Sequence, residues 1–369
     1  MLIFERYLSR EIGRSFLGLL GLLILIFCSA RFVRYLADVA SGKIGGDIVF
    51  EMLLTNLLSV LGLLIPLTFY IAVVLVLGRL RQDNEITALY GAGKGTRYLL
   101  ERVLKLAAIC AALTAVVAFY FAPWAERNLV ALETLAKEES DLLGIAPGRF
   151  KELSRGDRVI YVENMSDDRQ HMENVFLQIK ELKRQGVLTS DEAFLEVNDE
   201  TGDRFVVFVN GNRYIGKPGQ LDFTITEYEK YAVRIELGEP NSTYVSLRET
   251  STSELFSGAI PGAAAELQWR ASLVIAVIVL SALAVLLLQG VPVLGRYSSL
   301  LVAILIYFTY SNLLGIARSL VKRGDLPTYI GLWWVHLIVI MIGIGLALYP
   351  RLRRRWAVSG KQQVLTARQ

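Results

Sequence analysis

Few residues of this chain are spaced for covalent chemistry. Gly91-Ala92-Gly93-Lys94-Gly95-Thr96 resembles a phosphate loop. That motif, G-x-x-x-x-G-K-[ST], requires glycine at 88 and serine or threonine at 95. The chain has Ala88 and Gly95, with no buried strand before the stretch and no α/β domain after it, so ATP binding by this chain is not expected. Cys28 and Cys110 lie in apolar runs and read as small packing residues. His171 and His336 are far apart and lack metal-ligand spacing. With no nucleophile–base pair either, neither hydrolysis, a metal nor a cofactor is expected within this chain.

What remains is the chemistry of charge and of apolar surface. Arg31 and Arg34 lie three apart, and Arg318 and Lys322 four apart with Arg323 alongside, so a helix puts each set on one face. Guanidinium groups bind phosphate through paired, charge-assisted hydrogen bonds. The competing role is snorkelling, in which such side chains hold helix ends at a lipid surface. Between residues 78 and 102 a short polar stretch reads as a helix with Asp83 as its N-cap, Glu85 in its first turn, and Gly91 and Gly93 at its end. Ile86, Leu89 and Tyr90 form an apolar face, opposite Glu85, Ala88 and Ala92. Asp83, Glu85, Ala88 and Leu89 could dock on a partner protein, or the helix could simply cap the elements around it. Phe176, Phe194, Phe205, Phe208 and Phe223 could line an apolar groove or fill an ordinary closed core.

These residues are positioned by a membrane framework. The chain has 369 residues, 53% hydrophobic, with mean hydropathy +0.44. That is too apolar for a soluble enzyme and too polar for a pure bundle. Six stretches approach the ~20 residues that cross hydrocarbon: Ser15–Phe32, Phe50–Leu77, Leu106–Trp124, Ala271–Leu288, Tyr297–Ala317 and Tyr329–Tyr349. The first could be a cleaved signal peptide, but with five more following it reads as a retained helix. Met1–Arg14 is basic and amphipathic and is expected to lie along the membrane surface.

Residues 1–124 thus carry three spans, with the elbow helix near 83–92, and 266–350 carry three more before a basic tail, 351–369. Residues 125–265 differ: short alternating segments separated by turn residues, such as Asn210-Gly211-Asn212, suggest an inserted all-β sandwich or open barrel. Arginine and lysine are dense in both termini and the elbow, which the positive-inside rule places in the cytoplasm, with the β domain outside. The net charge of +4 matters less than this placement. Three classes remain open: a permease half driven by a separate ATPase, an ion-coupled secondary transporter, and a membrane receptor sensing the outer compartment. No convincing repeat supports the second, and the short tail leaves no room for the third's signalling domain.

The elbow run Asp83-Asn84-Glu85-Ile86-Thr87-Ala88-Leu89-Tyr90-Gly91-Ala92-Gly93 resembles the coupling-helix signature of the LptF/LptG permease family. Glu266-Leu267-Gln268-Trp269-Arg270, Gly295-Arg296-Tyr297 and Leu332-Trp333-Trp334-Val335-His336 resemble its LptF branch, and the likeness runs through the whole chain in order. The resemblance implies a fold, a six-helix membrane bundle with an inserted periplasmic β-jellyroll-like domain. It implies a permease subunit, not an enzyme, in the inner membrane of a Gram-negative bacterium with both termini cytoplasmic. It also implies partners: an LptG-like permease subunit, an LptB ATPase dimer that carries the ATP and Mg, LptC, and lipopolysaccharide as cargo. Arg31, Arg34, Arg318, Lys322, Arg323 and the five phenylalanines are then expected at the lipid.

Overall fold

A computed structural model describes residues 2–40, 44–143, 147–153, 158–166, 171–181, 184–197, 204–216, 224–234, 247–257, 260–290 and 296–348. Nine α-helices and six strands occur among them. The helices are α1 (Leu2–Ala40), α2 (Val49–Gln82), α3 (Glu85–Gly91), α4 (Thr96–Val116), α5 (Ala122–Leu143), α6 (Thr252–Phe256), α7 (Ala263–Gly290) and α8 (Arg296–Arg323), with a short apolar α9 (Trp333–Leu348). Five helical segments are long and apolar enough to cross a membrane, and α9 occupies the sixth expected place at a shorter length. Two compact units result: one of Met1–Arg31, Leu53–Leu129 and Ser246–Gln369, the other of Phe32–Met52 and Val130–Val245.

In the helical unit α2 is central. Of its apolar window 61% is buried, against 6% for α1. Leu8, Ile12 and Phe16 of α1 nevertheless pack into the core beside Phe69, Tyr70 and Leu77 of α2, because a spacing of four keeps them on one helical face. Met1–Arg14 does not form a separate surface helix. α1 is continuous, about 58 Å long at 1.5 Å per residue, and its first turns stack on the bundle.

The third apolar helix also runs on, past Pro123. A proline inside a helix lacks the N–H for the carbonyl four residues back and crowds it. That carbonyl belongs to Phe119, within the π-helical turn Val117–Phe121 that joins α4 to α5. It accepts instead from the Thr252 hydroxyl of α6. The chain therefore need not end its helix at Pro123-Trp124.

The β unit is a single antiparallel meander in which neighbours in sequence are neighbours in space, from β1 (Arg149–Leu153) through β2 (Arg158–Met165), β3 (His171–Glu181), β4 (Arg184–Val197) and β5 (Arg204–Gly216) to β6 (Thr224–Arg234). These strands are longer than the alternation suggests. Asn210-Gly211-Asn212 is no turn; it lies inside β5. From β2 to β6 each pair of strands omits one rung, along a line through Glu163, Asn174, Asp191, Asn210 and Glu229. Asn174 and Asn210 take positive φ there, a region that asparagine tolerates better than other side chains. The line is a crease. Core residues shift by one position across it: Val162 to Met165, Met172 to Val175, and Ser190 to Ala193.

Gly211 makes the crease possible. A Cβ there would sit 2.0 Å from the Thr189 carbonyl oxygen and 2.5 Å from the Tyr228 hydroxyl. The Tyr228 hydroxyl, donating to that carbonyl at 2.9 Å, covers the glycine. Burial pushes its pKa above the ordinary phenol value, which keeps the donor proton in place.

Candidate functional site

The elbow joins α2 to α4 through α3. Asp83 does not cap α3: its backbone N–H bonds Arg79 and so closes α2. Asn84 takes the N-cap position in a left-handed conformation (φ 59°) with no side-chain cap. A residue with positive φ reverses the chain at once, leaving no room for a capping carboxylate one position earlier. The other end follows expectation. Gly93 is left-handed (φ 77°), its N–H bonds Tyr90, and the N–H of Lys94 reaches back to Leu89, a Schellman closure. Ile86 is buried and Leu89 half-buried, while Thr87, Ala88, Tyr90, Gly91 and Ala92 are exposed. The Tyr90 hydroxyl is tied to Thr96 at 3.0 Å. α3 thus presents an outer surface of mostly small residues.

Glu85 is held from below. Its carboxylate accepts from the Tyr7 hydroxyl at 3.3 Å. Arg79 donates to Tyr7 at 3.2 Å and pairs with Glu11 at 2.8 Å. A second set lies alongside: Arg102 pairs with Glu5 at 2.8 Å, Tyr98 donates to the same carboxylate at 3.2 Å, and the Arg102 guanidinium lies 5.0 Å from the centre of the Tyr98 ring. The first three turns of α1 are therefore clamped to the elbow. Sequence reading missed this clasp, because Glu5 and Arg102 meet only through the fold.

From Thr96, α4 climbs about 32 Å at 1.5 Å per residue, the thickness of a bilayer core. Beyond it, at the head of α7, lies a buried ionic cluster. Glu266 and Arg270 are four apart, pair at 3.4 Å, and expose only 4% and 3% of their side chains. Arg318, at the end of α8, binds the other carboxylate oxygen of Glu266 and stacks 4.8 Å from the Trp269 ring centre. Arg270 also donates to the Thr252 hydroxyl at 2.8 Å and to the carbonyl of Thr250 at 2.9 Å. Arg318 is thus no free surface cation. Opposite charges four apart at the head of an apolar helix were the available signal, since charge that deep in such a segment has a specific partner.

Arg31 is half-buried, while Arg34, Lys322 and Arg323 are exposed. Arg31 lies 5.5 Å from the Phe27 ring centre, on its own helix. Phe208 is fully buried with Met172 and Ala193. Phe194 and Phe205 stand an odd number of places from that row, and Phe176 lies next to the inward Val175, so alternation puts all three on the opposite face. Phe176 packs against Phe150 and Phe194 against His171. Phe223 lies outside the described residues. The hollow along the crease, about 910 Å³, is lined by Glu163, Asp191, Glu227 and Glu229 together with Tyr161 and Phe176.

Five long apolar helices, a clamped polar elbow and an inserted antiparallel sheet define a multi-pass membrane protein with a large extramembrane domain. The family described as lipopolysaccharide export system permease LptF/LptG matches residues 6–349, and the chain belongs to it. Its relatives include the lipopolysaccharide export system permease protein LptF of Escherichia coli strain K12 and that of Shigella flexneri. Each is 29% identical over 374 residues, covering 98% of this chain and 100% of the relative.

Proposed function

We propose that this chain is the transmembrane subunit of an ATP-driven exporter that draws lipopolysaccharide from the inner membrane and passes it to a periplasmic β-jellyroll bridge toward the outer membrane. In this reading it spans the membrane six times with both termini cytoplasmic, pairs with an LptG-like subunit, and works with LptC. Its own β unit serves as the first jellyroll-like element of the bridge. An LptB dimer hydrolyses the ATP. The observation that carries the reading is the full-length family match, joined to an elbow helix whose exposed small-residue face offers a partner close approach. Asp83, Glu85, Ala88 and Leu89 form or support that contact. Arg31, Arg34, Lys322 and Arg323 hold lipid phosphates at the entrance.

Acyl chains crossing water expose apolar area at ~25 cal/mol per Å², so the sheet must offer them a sheltered face. The apolar core row around Phe208 and the aromatic face with Phe176, Phe194 and Phe205 are the two choices. A photo-crosslinker at Phe205 and another at Phe208 separate them: lipid captured during ATP hydrolysis at one and not the other identifies the face.

The class is tested by purification from the native membrane. An LptG-like chain and an ATPase should copurify, and Glu85→Lys should weaken that assembly or uncouple hydrolysis from lipid release, since a mismatched buried charge costs several kcal/mol. A lone chain with ion-coupled uptake would overturn the reading. Arg31→Glu with Arg34→Glu, and separately Lys322→Glu, should lower lipid-stimulated ATPase and lipid release while assembly and basal ATPase survive.

A further inference from the structure

Glu85 begins α3, but its carboxylate is oriented from outside that helix. α3 has no side-chain cap, since Asn84 precedes it in the left-handed region. The group that holds Glu85 is the Tyr7 hydroxyl of α1, 78 positions away in sequence.

The chemistry of the neighbours fixes the sense of that contact. A guanidinium only donates hydrogen bonds, and one nitrogen of Arg79, in the last turn of α2, donates to the Tyr7 oxygen at 3.2 Å. The single Tyr7 proton therefore goes to Glu85, at 3.3 Å. Arg79 is itself fixed, because its other terminal nitrogen pairs with Glu11 at 2.8 Å. Tyr7 and Glu11 lie four apart on α1, and Leu8 and Ile12 beside them are buried in the core, so this turn of α1 is anchored to the bundle. The Phe4 ring lies 6.4 Å from that of Tyr7. From Glu11 through Arg79 and Tyr7 to Glu85, each donor meets an acceptor. Arg79 contacts Glu11 directly and Glu85 only through the phenol, so the Glu85 carboxylate is aimed without being neutralised by a direct ion pair from Arg79.

We propose that Tyr7 is a positioning residue for the docking contact: it occupies one oxygen of Glu85 and presents the other to the ATPase. Ordering a free glutamate at an interface opposes binding, and Tyr7 does that ordering before the partner arrives. α1 is then part of the docking site although it lies far from α3 in sequence. This role rests on Glu85 meeting the ATPase, the reading proposed for the elbow.

A double-mutant cycle tests it, on the permease complex in nanodiscs with binding of the purified ATPase as the readout. Tyr7→Phe keeps the ring beside Phe4 and removes only the hydroxyl. It should weaken ATPase binding about fivefold, the scale of one lost hydrogen bond to a charged group at a partly exposed site. Glu85→Ala should weaken binding further. Adding Tyr7→Phe to Glu85→Ala should then cost nothing more, because the hydroxyl has no carboxylate left to hold. Unchanged binding in Tyr7→Phe, beside a loss in Glu85→Ala, overturns the proposal and leaves the docking reading intact. The same loss from Tyr7→Phe in both backgrounds also overturns it, making Tyr7 a general support of the elbow. If Glu85→Ala binds the ATPase as well as the parent does, the docking reading itself fails, and the role of Tyr7 falls with it.

Discussion

The two ends of the helical bundle use charge in opposite ways. At the elbow, Arg79, Glu11, Arg102 and Glu5 keep between 23% and 35% of their side chains exposed. At the far end, Glu266 and Arg270 expose 4% and 3%, and Arg318 11%. Half-buried pairs that keep this much contact with water are worth on the order of 1 kcal/mol each and weaken in salt. Buried pairs return little net stability over an apolar replacement, yet breaking one member is expensive. The elbow clasp can therefore open at small cost. The Glu266 cluster cannot, and it ties α6, the head of α7 and the end of α8 together.

The largest effect should come from breaking the buried cluster. Glu266→Ala leaves two guanidinium groups facing an empty site and should destabilise the protein by ~3–5 kcal/mol, seen as a lower thermal midpoint in detergent. Adding Arg318→Leu to Glu266→Ala removes one of the orphaned charges and should recover a substantial part of the loss. No recovery would mean that Glu266 acts alone and the far end is not a coupled unit. A smaller effect is expected from Thr252→Val. It strands the Phe119 carbonyl beside Pro123 and removes a partner of Arg270, a cost of ~1–3 kcal/mol. Limited proteolysis within residues 117–125 should report it.

How far these features could be read beforehand depends on how local their causes are. The apolar runs were legible because each helix's hydrophobicity lies within its own residues, and Gly93 was legible because a helix end needs one left-handed residue. Asp83 misled because a cap is judged from composition, whereas the left-handed Asn84 shifts the helix start by one. The signal Asn210-Gly211-Asn212 reported positive φ faithfully, but the same geometry serves a hairpin or a crease, and only the neighbouring strands decide. Glu266 was visible as a motif. Its meaning was not, since Arg318 lies 52 positions away.

The smallest expected effect tests the other half of the comparison. Arg102→Gln removes the pair with Glu5 and the contact with the Tyr98 ring, while Tyr98 still donates to Glu5. Stability should fall by no more than ~1 kcal/mol, and the difference from the parent should shrink as salt rises from about 0.1 M to 1 M, where the screening length drops from ~10 Å to ~3 Å. Activity should respond more than stability. On the proposed function, the first turns of α1 then keep, among the described residues, only the polar ties of Arg79 to Glu11 and Tyr7, Tyr7 to Glu85 and Tyr98 to Glu5, so ATP hydrolysis by the partner should continue while less of it results in transport. A loss of several kcal/mol that salt leaves unchanged would show that the elbow is built like the far end. The contrast between a yielding clasp and a rigid cluster would then be lost.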